Sequence, residues 1–319
     1  MPKSNFSFFN QVFKTDNQQI TLPVLQEKKI ALFIKREDLI HPFVSGNKFR
    51  KLKYNVLEAK RQNKKALLTF GGAFSNHIAA TAFAGKAAGL QTIGVIRGEE
   101  LGINLESTLS QNTTLQEAAN NQMEFYFVDR ESYRNKTDDR FIKKLQQKFG
   151  DFYLVPEGGT NELAVKGCKE ILTEEDNSFD CICAAIGTGG TIAGLINSAN
   201  THQRVIGFPA LKGDFLQKEI KQFVANKNNW SLNTNYHFGG YAKYNVELIS
   251  FINQFYRETK IPLDPIYTGK MLFGILDLIK NNYFTAGTKI LAIHTGGIQG
   301  VDGFNMRLAK KNQELITIS

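Results

Sequence analysis

The chain has 319 residues, 42% of them hydrophobic and 22% charged, which is the balance of an ordinary globular protein with room for a large core. It contains no apolar run of membrane-spanning length, and its start, Met1-Pro2-Lys3-Ser4-Asn5, lacks the apolar core of a signal peptide, so we expect a cytoplasmic protein and no membrane partner. The net charge of +9 does not by itself indicate a nucleic-acid partner, because Lys and Arg are spread along the chain and no aromatic–basic module is recognisable; a basic surface that attracts an anionic small molecule is the simpler interpretation.

The cysteines and histidines do not form the pattern of a metal site or a disulfide framework. The cysteines are Cys168, Cys181 and Cys183, an odd number, and the last two alternate as in a strand. The five histidines are scattered, without the close spacing of a catalytic metal site. We therefore expect no metal.

Read from the N-terminus, short apolar strands alternate with segments of helical spacing. We predict strands at residues 30–34, 66–70, 92–96, 124–128, 153–155, 181–186, 204–208 and 289–294. We predict helices at residues 47–62, 76–88, 115–121, 138–149, 162–172, 246–257 and 269–280, and one beginning after residue 190. This alternation predicts an α/β protein with mostly parallel sheets, and the length favours two lobes with a cleft between them.

The stretch Ser45–Lys51 opens one of these helices and contains the first candidate site residue, Lys48. A lysine in the first turn faces the positive end of the helix dipole, an unfavourable place for an ammonium. Lysines kept at such a position are often bound to a ligand, or neutral because the amine is covalently engaged. The alternative is a solvated basic face without a ligand.

Three predicted strands end in glycine-rich turns, which are residues 70–77, 186–191 and 294–297. Ligands of open parallel sheets bind beyond the carboxyl ends of the strands, where these turns would lie. The second turn, Gly187-Thr188-Gly189-Gly190-Thr191, combines convergent N–H groups, two hydroxyls and a helix start, which describes a phosphate cup. It lacks the GKS/T ending of a P-loop, and Ile192 breaks the dinucleotide spacing, so a compact cofactor fits better. A tight turn without a ligand is the alternative.

A lysine at a helix start, a phosphate cup and a Ser-Asn turn are the parts that a pyridoxal phosphate site needs. In these parts and their order the sequence resembles the 1-aminocyclopropane-1-carboxylate deaminase/D-cysteine desulfhydrase family, pyridoxal-phosphate enzymes of the tryptophan-synthase-β fold type. The resemblance runs over nearly the whole chain, through residues 35–38, 45–52, 75–77, 156–161, 187–191, 267–270 and 294–297. It implies two three-layer αβα lobes with the cofactor between them. The large cofactor-binding domain would comprise residues 1–50 and 158–319, and the small domain residues 51–157. Fold relatives are commonly dimers, so a homodimer is expected by analogy.

The resemblance also implies how the cofactor, pyridoxal 5'-phosphate, would be held. Lys48 would bind it covalently and later act as the base at the substrate Cα. Lys51 would lie near the phosphate, and Asn76 would hydrogen-bond the ring oxygen. The phosphate cup would consist of Gly187, Thr188, Gly189, Gly190 and Thr191.

The substrate, a small amino acid, would lie beside the Ser75–Asn76 turn. Ser75 would face its carboxylate, where the helix beginning at Asn76 supplies N–H donors. Tyr241 and Tyr267 resemble the family's two active-site tyrosines, with Tyr241 in the looser match Phe238-Gly239-Gly240-Tyr241. His77 is either a proton carrier near the substrate or a histidine packed in the first turn of its helix.

Two positions separate the branches of the family. Cyclopropane deaminases resemble one another in a Glu after the tyrosine matched by Tyr267 and a Leu after the histidine matched by His294, whereas this chain has Thr268 and Thr295. A carboxylate at the pyridine nitrogen keeps the nitrogen protonated and makes the ring a strong electron sink, which opening a cyclopropane needs. A neutral hydroxyl leaves a weaker sink, adequate for removing a Cα proton and expelling sulfide from Cβ. We therefore predict a lyase that converts D-cysteine to pyruvate, ammonia and sulfide, or that carries out the corresponding β-elimination on a related D-amino acid.

Other interpretations stay open. The chain has Phe74 where the family commonly has Gln, and Ile78-Ala79-Ala80 where the family helix is polar, which removes polar groups from the expected substrate side. The alternative activity is that of a 1-aminocyclopropane-1-carboxylate deaminase, giving 2-oxobutanoate and ammonia. A second alternative is a protein that binds the cofactor but has lost or altered the chemistry.

Overall fold

The structure, a computed structural model, describes residues 6–11, 13–41, 44, 46–224 and 227–318. Ser45, the first residue of the predicted lysine turn, lies outside them. None of the helices in the described part of the chain has both the length and the apolar character needed to cross a bilayer.

Six strands form the larger sheet, in the order β1-β2-β10-β7-β8-β9. Only the β1–β2 pair is antiparallel; the other pairs in this described sheet are parallel. Their bounds are β1 Asn17–Ile20, β2 Ala31–Lys35, β7 Cys181–Ile186, β8 Arg204–Pro209, β9 Trp230–Leu232 and β10 Lys289–Ile293. Side chains of β7 alternate between two separate apolar cores, one holding Cys181, Cys183 and Ala185, the other Ile182, Ala184 and Ile186. Helices therefore cover both faces, as the predicted three-layer arrangement requires.

Four parallel strands form the smaller sheet, in the order β5-β4-β3-β6. Their bounds are β3 Ala66–Gly72, β4 Gln91–Arg97, β5 Met123–Val128 and β6 Phe152–Val155. Leu67 packs into one core and Leu68 into another, so this sheet is also covered on both faces. The division into domains at residues 50/51 and 157/158 stays a prediction, and helix Asn47–Arg61 runs without a break past the first of these positions.

Thirteen α-helices are present in the described residues. Their bounds are α1 Pro23–Lys28, α2 Asn47–Arg61, α3 Asn76–Ala88, α4 Leu105–Ser110, α5 Thr113–Asn120, α6 Arg130–Arg134, α7 Asp139–Phe149, α8 Glu162–Cys168, α9 Gly190–Ser198, α10 Phe215–Lys221, α11 Val246–Thr259, α12 Thr268–Lys280 and α13 Val301–Ala309. The helix predicted over 162–172 ends earlier, since α8 passes into a 3-10 turn at Lys169–Ile171.

The helix starts differ in a way that bears on function. Six helices, α4 to α8 and α11, begin with an Asn or Asp whose side chain accepts a hydrogen bond from a first-turn N–H. Helices α2, α3 and α9 have no such side chain among the described residues. Their first-turn N–H groups are therefore left for other acceptors, and all three begin at the predicted lysine and glycine-rich turns.

Candidate active site

Lys48 lies in the first turn of α2 and is partly buried. Its ammonium makes no hydrogen bond or ion pair to any described residue. Burial, together with the charge of Lys51, lowers the pKa of Lys48 to about 7. A large share of the amine is therefore neutral near pH 7, the form that attacks a carbonyl carbon. The solvated basic face considered from the sequence does not describe this residue.

The chain before Lys48 is held against the third glycine turn. Gly46 has φ +56° and ψ −138°, a conformation open in practice to glycine alone. A Cβ atom at Gly46 would overlap the carbonyl oxygen of Thr295, the residue after His294. The N–H of Gly46 donates to the carbonyl of Glu37 at 2.8 Å, and the buried Glu37 carboxylate accepts from the Arg50 guanidinium at 2.9 Å. The acidic-basic stretch before the lysine thus fixes where α2 begins.

Lys51 points into the predicted phosphate cup. Its Nζ donates to the carbonyl of Gly158 at 2.9 Å, to Thr160 Oγ1 at 3.0 Å and to Thr188 Oγ1 at 3.2 Å. Burial lowers the pKa of Lys51 to about 8, so the amine is still mostly protonated at pH 7. The prediction placed this lysine beside the cup, and the structure brings the two together.

The cup itself follows β7, and its glycines have little room for a side chain. The hydroxyl of Thr191 accepts from Asn47 Nδ2 at 2.9 Å, which ties α9 to the first turn of α2. A Cβ atom at Gly190 would lie 2.9 Å from Thr160 Oγ1 and 3.3 Å from Lys51 Cε. Gly189 has φ +84° at the start of α9. Bare backbone, an uncapped helix start and a lysine therefore converge on one place, which suits a dianion.

Ser75 and Asn76 stand at the start of α3, after β3. The Ser75 side chain does not cap its own helix, so its hydroxyl is not used by the first-turn N–H groups. Asn76 Oδ1 is buried and has no hydrogen-bond partner among the described residues. A Cβ atom at Gly297 would lie 3.1 Å from Asn76 Nδ2, so the amide lies against the third glycine turn. An unpartnered amide oxygen of this kind is costly unless a ligand or water completes the site.

His77 is packed beneath the site. Its Nε2 lies 2.8 Å from Thr69 Oγ1, and its ring lies beneath Gly159, where a Cβ atom would be 3.0 Å from His77 Cε1. Burial and the charges of Lys48 and Lys51 hold the pKa of His77 well below its usual value. The imidazole is therefore neutral at pH 7. Of the two sequence interpretations, these contacts favour the packed histidine.

The two tyrosines that the resemblance singled out lie together. The rings of Tyr241 and Tyr267 are 6.3 Å apart and inclined by 62°. Tyr267 also touches the cup, since a Cβ atom at Gly187 would lie 3.1 Å from its hydroxyl oxygen. Burial raises the pKa of both phenols, so both stay protonated at neutral pH. Tyr241 is 44% exposed and forms the outer side of the pair.

Thr268 and Thr295, which separate the branches of the family, differ in their surroundings. The Thr268 hydroxyl donates to Asp264 Oδ1 at 2.7 Å and accepts from the Asp264 N–H at 2.9 Å. The Asp264 carboxylate also accepts from the N–H groups of Ile266, Tyr267 and Thr268. The hydroxyl hydrogen of Thr268 is thus already used. By contrast, the buried Thr295 side chain makes no hydrogen bond to another described residue.

Some residues of the site were not assigned from the sequence. Thr160 and Gly158 hold Lys51, Asn47 holds Thr191, and Asp264 holds the start of α12. The signal for Thr160 was present, because Gly158-Gly159-Thr160 is a further glycine turn, at the end of β6 beside β3. No sequence pattern marked Asp264.

Comparison with known proteins agrees with this geometry. The family model for pyridoxal-phosphate dependent enzymes matches residues 16–296. A bifunctional D-cysteine desulfhydrase/1-aminocyclopropane-1-carboxylate deaminase, mitochondrial, from Arabidopsis thaliana is 30% identical over 85% of this chain and 73% of its own. A D-cysteine desulfhydrase from Klebsiella pneumoniae (strain 342) is 29% identical over 87% of this chain and 90% of its own.

A crystal structure of an ACC deaminase homologue superimposes with a TM-score of 0.78 at 27% identity, covering 97% of this chain and 99% of the other. The fold class, the family and the cofactor predicted from the sequence are confirmed. With its lysine, glycine turns and sheets in the expected order, this chain belongs to the family of pyridoxal-phosphate-dependent enzymes.

Proposed function

We propose that this enzyme eliminates sulfide from Cβ of D-cysteine, with the overall change D-cysteine + water → pyruvate + ammonia + sulfide. The observation that carries the proposal is the pair of threonines, Thr268 and Thr295, which gives neither branch position a carboxylate side chain. The buried carboxylate of Asp264 lies in the same region, but four donors from the start of α12 already occupy it. The uncommitted hydroxyl is that of Thr295, which we propose as the neutral partner of the ring nitrogen.

The residues present fit pyridoxal phosphate. Lys48 supplies a largely neutral amine, and Asn76 Oδ1 is a buried polar atom without a partner among the described residues. The cup around Gly190 is a space that a side chain would fill. We propose that Lys48 binds the cofactor and Asn76 its ring oxygen, while Lys51 holds the phosphate with Gly187, Thr188, Gly189, Gly190 and Thr191. When bound, the cofactor supplies an electron sink for the pair left at the substrate Cα.

The protein groups around the substrate would then have different roles in the reaction. The Ser75 hydroxyl and the uncapped N-terminus of α3 bind the substrate carboxylate, because both offer donors at the positive end of a helix. Lys48 takes the proton from Cα, and a pKa near 7 suits it to both giving and taking a proton at neutral pH. Tyr241 and Tyr267 stay protonated and flank the substrate side. Overall, sulfide would leave from Cβ and one water would be consumed, which gives pyruvate and ammonia.

The second candidate is the deamination of 1-aminocyclopropane-1-carboxylate. It is supported by relatives that carry this activity in their names, the Arabidopsis enzyme and the solved ACC deaminase homologue. The names of relatives favour neither reaction, so the choice rests on the threonines. The third interpretation is a catalytically altered protein. The presence of Lys48 and of all the cup residues argues against it.

The test is a substrate panel with the purified, cofactor-loaded protein. D- and L-cysteine, D- and L-serine, β-chloroalanine and aminocyclopropane carboxylate are assayed for keto acid and sulfide. We expect equal amounts of pyruvate and sulfide from D-cysteine, and no 2-oxobutanoate from the cyclopropane. Appreciable cyclopropane turnover would reverse the order of the two candidates, and no product from any compound would favour the altered protein.

Lys48→Ala is the companion variant, with Lys60→Ala, on the same helix, as its control. We expect Lys48→Ala to lose both the visible absorbance of the bound cofactor and all product, and Lys60→Ala to keep both. Absorbance that survives Lys48→Ala would place the cofactor on another residue.

Three coarser expectations complete the proposal. We propose a homodimer, by analogy with fold relatives, and a cytoplasmic location. We also propose the division into a large domain, residues 1–50 and 158–319, and a small domain, residues 51–157. The separate cores of the two sheets support two domains, but Phe9, Ile40, Val44 and Phe49 of the proposed large domain pack into a core of the smaller sheet.

A further inference from the structure

One face of α12 holds the chain segment that carries Tyr241. Tyr236 donates from its hydroxyl to Asp277 Oδ2 at 2.7 Å, and Phe238 packs on Phe273 with ring centroids 5.1 Å apart. The residues of α12 that make these contacts follow helical spacing, and the series begins with Lys270. The same helix begins after Tyr267 and, through Lys270, contacts Gly240, the residue before Tyr241, so one rigid element adjoins both tyrosines of the site.

The segment around Tyr241 is a strained turn. Phe238 and Ala242 have φ values of +53° and +54°, which are unfavourable for residues with a side chain. Gly239 and Gly240, between them, have φ values of +90° and +118°. Backbone of this kind persists only where its surroundings fix it.

Lys270 supplies that constraint. Its side chain is only 2% exposed, and its Nζ donates to the carbonyls of His237 and Gly240, both at 2.8 Å. These carbonyls stand at the two ends of the tightest part of the turn, one of them directly before Tyr241. Burial lowers the pKa of Lys270 to about 8, partly offset by Asp264, which shows that the ammonium is kept here against a desolvation penalty.

We propose that Lys270 is a positioning residue, which holds the turn of residues 237–243 so that Tyr241 stands against Tyr267 on the substrate side. Lys270 itself would touch neither cofactor nor substrate. The proposal rests on the proposed role of the two tyrosines. It predicts that loss of the ammonium loosens Tyr241 and weakens substrate binding while the phosphate cup stays formed.

The first test does not depend on activity. Hydrogen exchange is measured on the cofactor-loaded protein for the peptide that contains residues 237–243, where the N–H groups of Gly239, Gly240 and Lys243 are hydrogen-bonded within the turn. Lys270→Met keeps the aliphatic stem and removes the donors, so exchange should become roughly tenfold faster or more, the loss of about one charge-assisted hydrogen bond. Lys280→Met, at the exposed end of α12, is the matched control and should change nothing. Lys270→Arg should restore part of the protection.

The second test connects the turn to the site. Amino-acid affinity is read from the change in visible absorbance when D-cysteine or D-serine is added, so it can be measured even without turnover. Lys270→Met should raise the apparent dissociation constant roughly tenfold, but by less than about twofold in a Tyr241→Ala background, because the two changes act on the same contact. Cofactor absorbance should be retained in every variant.

Each outcome decides the proposal. Unchanged exchange in Lys270→Met would show that the turn does not need the ammonium. Faster exchange with unchanged amino-acid affinity, or the same loss of affinity in both backgrounds, would show that Lys270 does not act through Tyr241. A failure of the proposed reaction would instead appear as missing product with normal exchange and affinity effects.

Discussion

Lys51 lies three residues beyond Lys48 on α2, and its charge helps to lower the pKa of Lys48 to about 7. The same Lys51 ammonium is bound by Thr160, Thr188 and the Gly158 carbonyl at the phosphate cup. One lysine thus has two effects: it lies in the proposed phosphate cup, and its charge favours the neutral form of the neighbouring Lys48 amine. The reactive amine and the anion site are coupled through a single helical turn.

The first prediction concerns the pH at which cofactor-free protein takes up pyridoxal phosphate. Only the neutral amine can attack, so attachment should slow by roughly tenfold per pH unit below the pKa of Lys48 and level off above it. We expect the midpoint near pH 7. It is measured from the rate of the visible absorbance change after mixing over a range of pH.

A simple lysine derivative, mixed with the cofactor under the same conditions, serves as the reference. Its rate should go on rising to about pH 10, since its amine has the ordinary pKa. A protein curve that follows the reference would show that burial does not activate Lys48.

The second prediction is for Lys51→Met. Burial is the larger cause of the lowered pKa of Lys48 and remains, but removing the charge of Lys51 takes away the second cause, so the midpoint of cofactor attachment should move above pH 7. The phosphate also loses a charge-assisted donor, so cofactor affinity should fall by roughly tenfold or more. Affinity is measured by absorbance titration, with Lys60→Met on the same helix as the control. If Lys51→Met changed neither the cofactor affinity nor the pH midpoint of attachment, Lys51 would not be part of the phosphate site.

The third prediction compares two glycines with left-handed φ. Gly46→Ala places a Cβ atom onto the Thr295 carbonyl, whereas at Gly89, with φ +64°, no atom of the described residues would lie within 4 Å of such a Cβ atom. Gly89→Ala should therefore cost about 1 kcal/mol of unfolding free energy from backbone strain alone. Gly46→Ala should cost about 3 kcal/mol or more and also displace Lys48. The measurements are urea unfolding and cofactor uptake, and equal costs for the two variants would contradict the close contact at Gly46.

The sequence was most informative where structure is decided locally. Strand β7 was predicted with its observed bounds because an apolar run lies between polar residues and a glycine turn, and α3 ends where predicted because Gly89 adopts the left-handed cap. Strand β1 was missed, since its Asn and Gln side chains are poor in strands and the antiparallel pairing with β2 decides its structure.

Within the site, too, local features could be predicted and contacts between distant residues could not. Lys48 and the cup could be found from the residue types that their chemistry needs. The hydrogen bond from Thr268 to Asp264 could not be predicted, because the sequence does not show in which direction a threonine hydroxyl points. The hydrogen bonds from Lys270 to the carbonyls of His237 and Gly240 could not be predicted either, since they join a side chain to backbone groups that lie 33 and 30 residues away in the sequence.

The last prediction tests the direction of the Thr268 hydroxyl. Thr268→Val keeps the shape but removes a donor to a buried carboxylate and an acceptor for the Asp264 N–H, so the cofactor-free protein should lose about 1–3 kcal/mol of unfolding free energy. Thr201→Val, at an exposed position, is the control and should stay within about 0.5 kcal/mol. Both are measured by urea unfolding. If Thr268 instead serves the ring nitrogen, the stability of the cofactor-free protein would not change, and turnover by the loaded enzyme would fall. Thr268→Val therefore distinguishes the two roles of the hydroxyl. The contact with Asp264 exists without the cofactor, whereas a contact with the ring nitrogen does not.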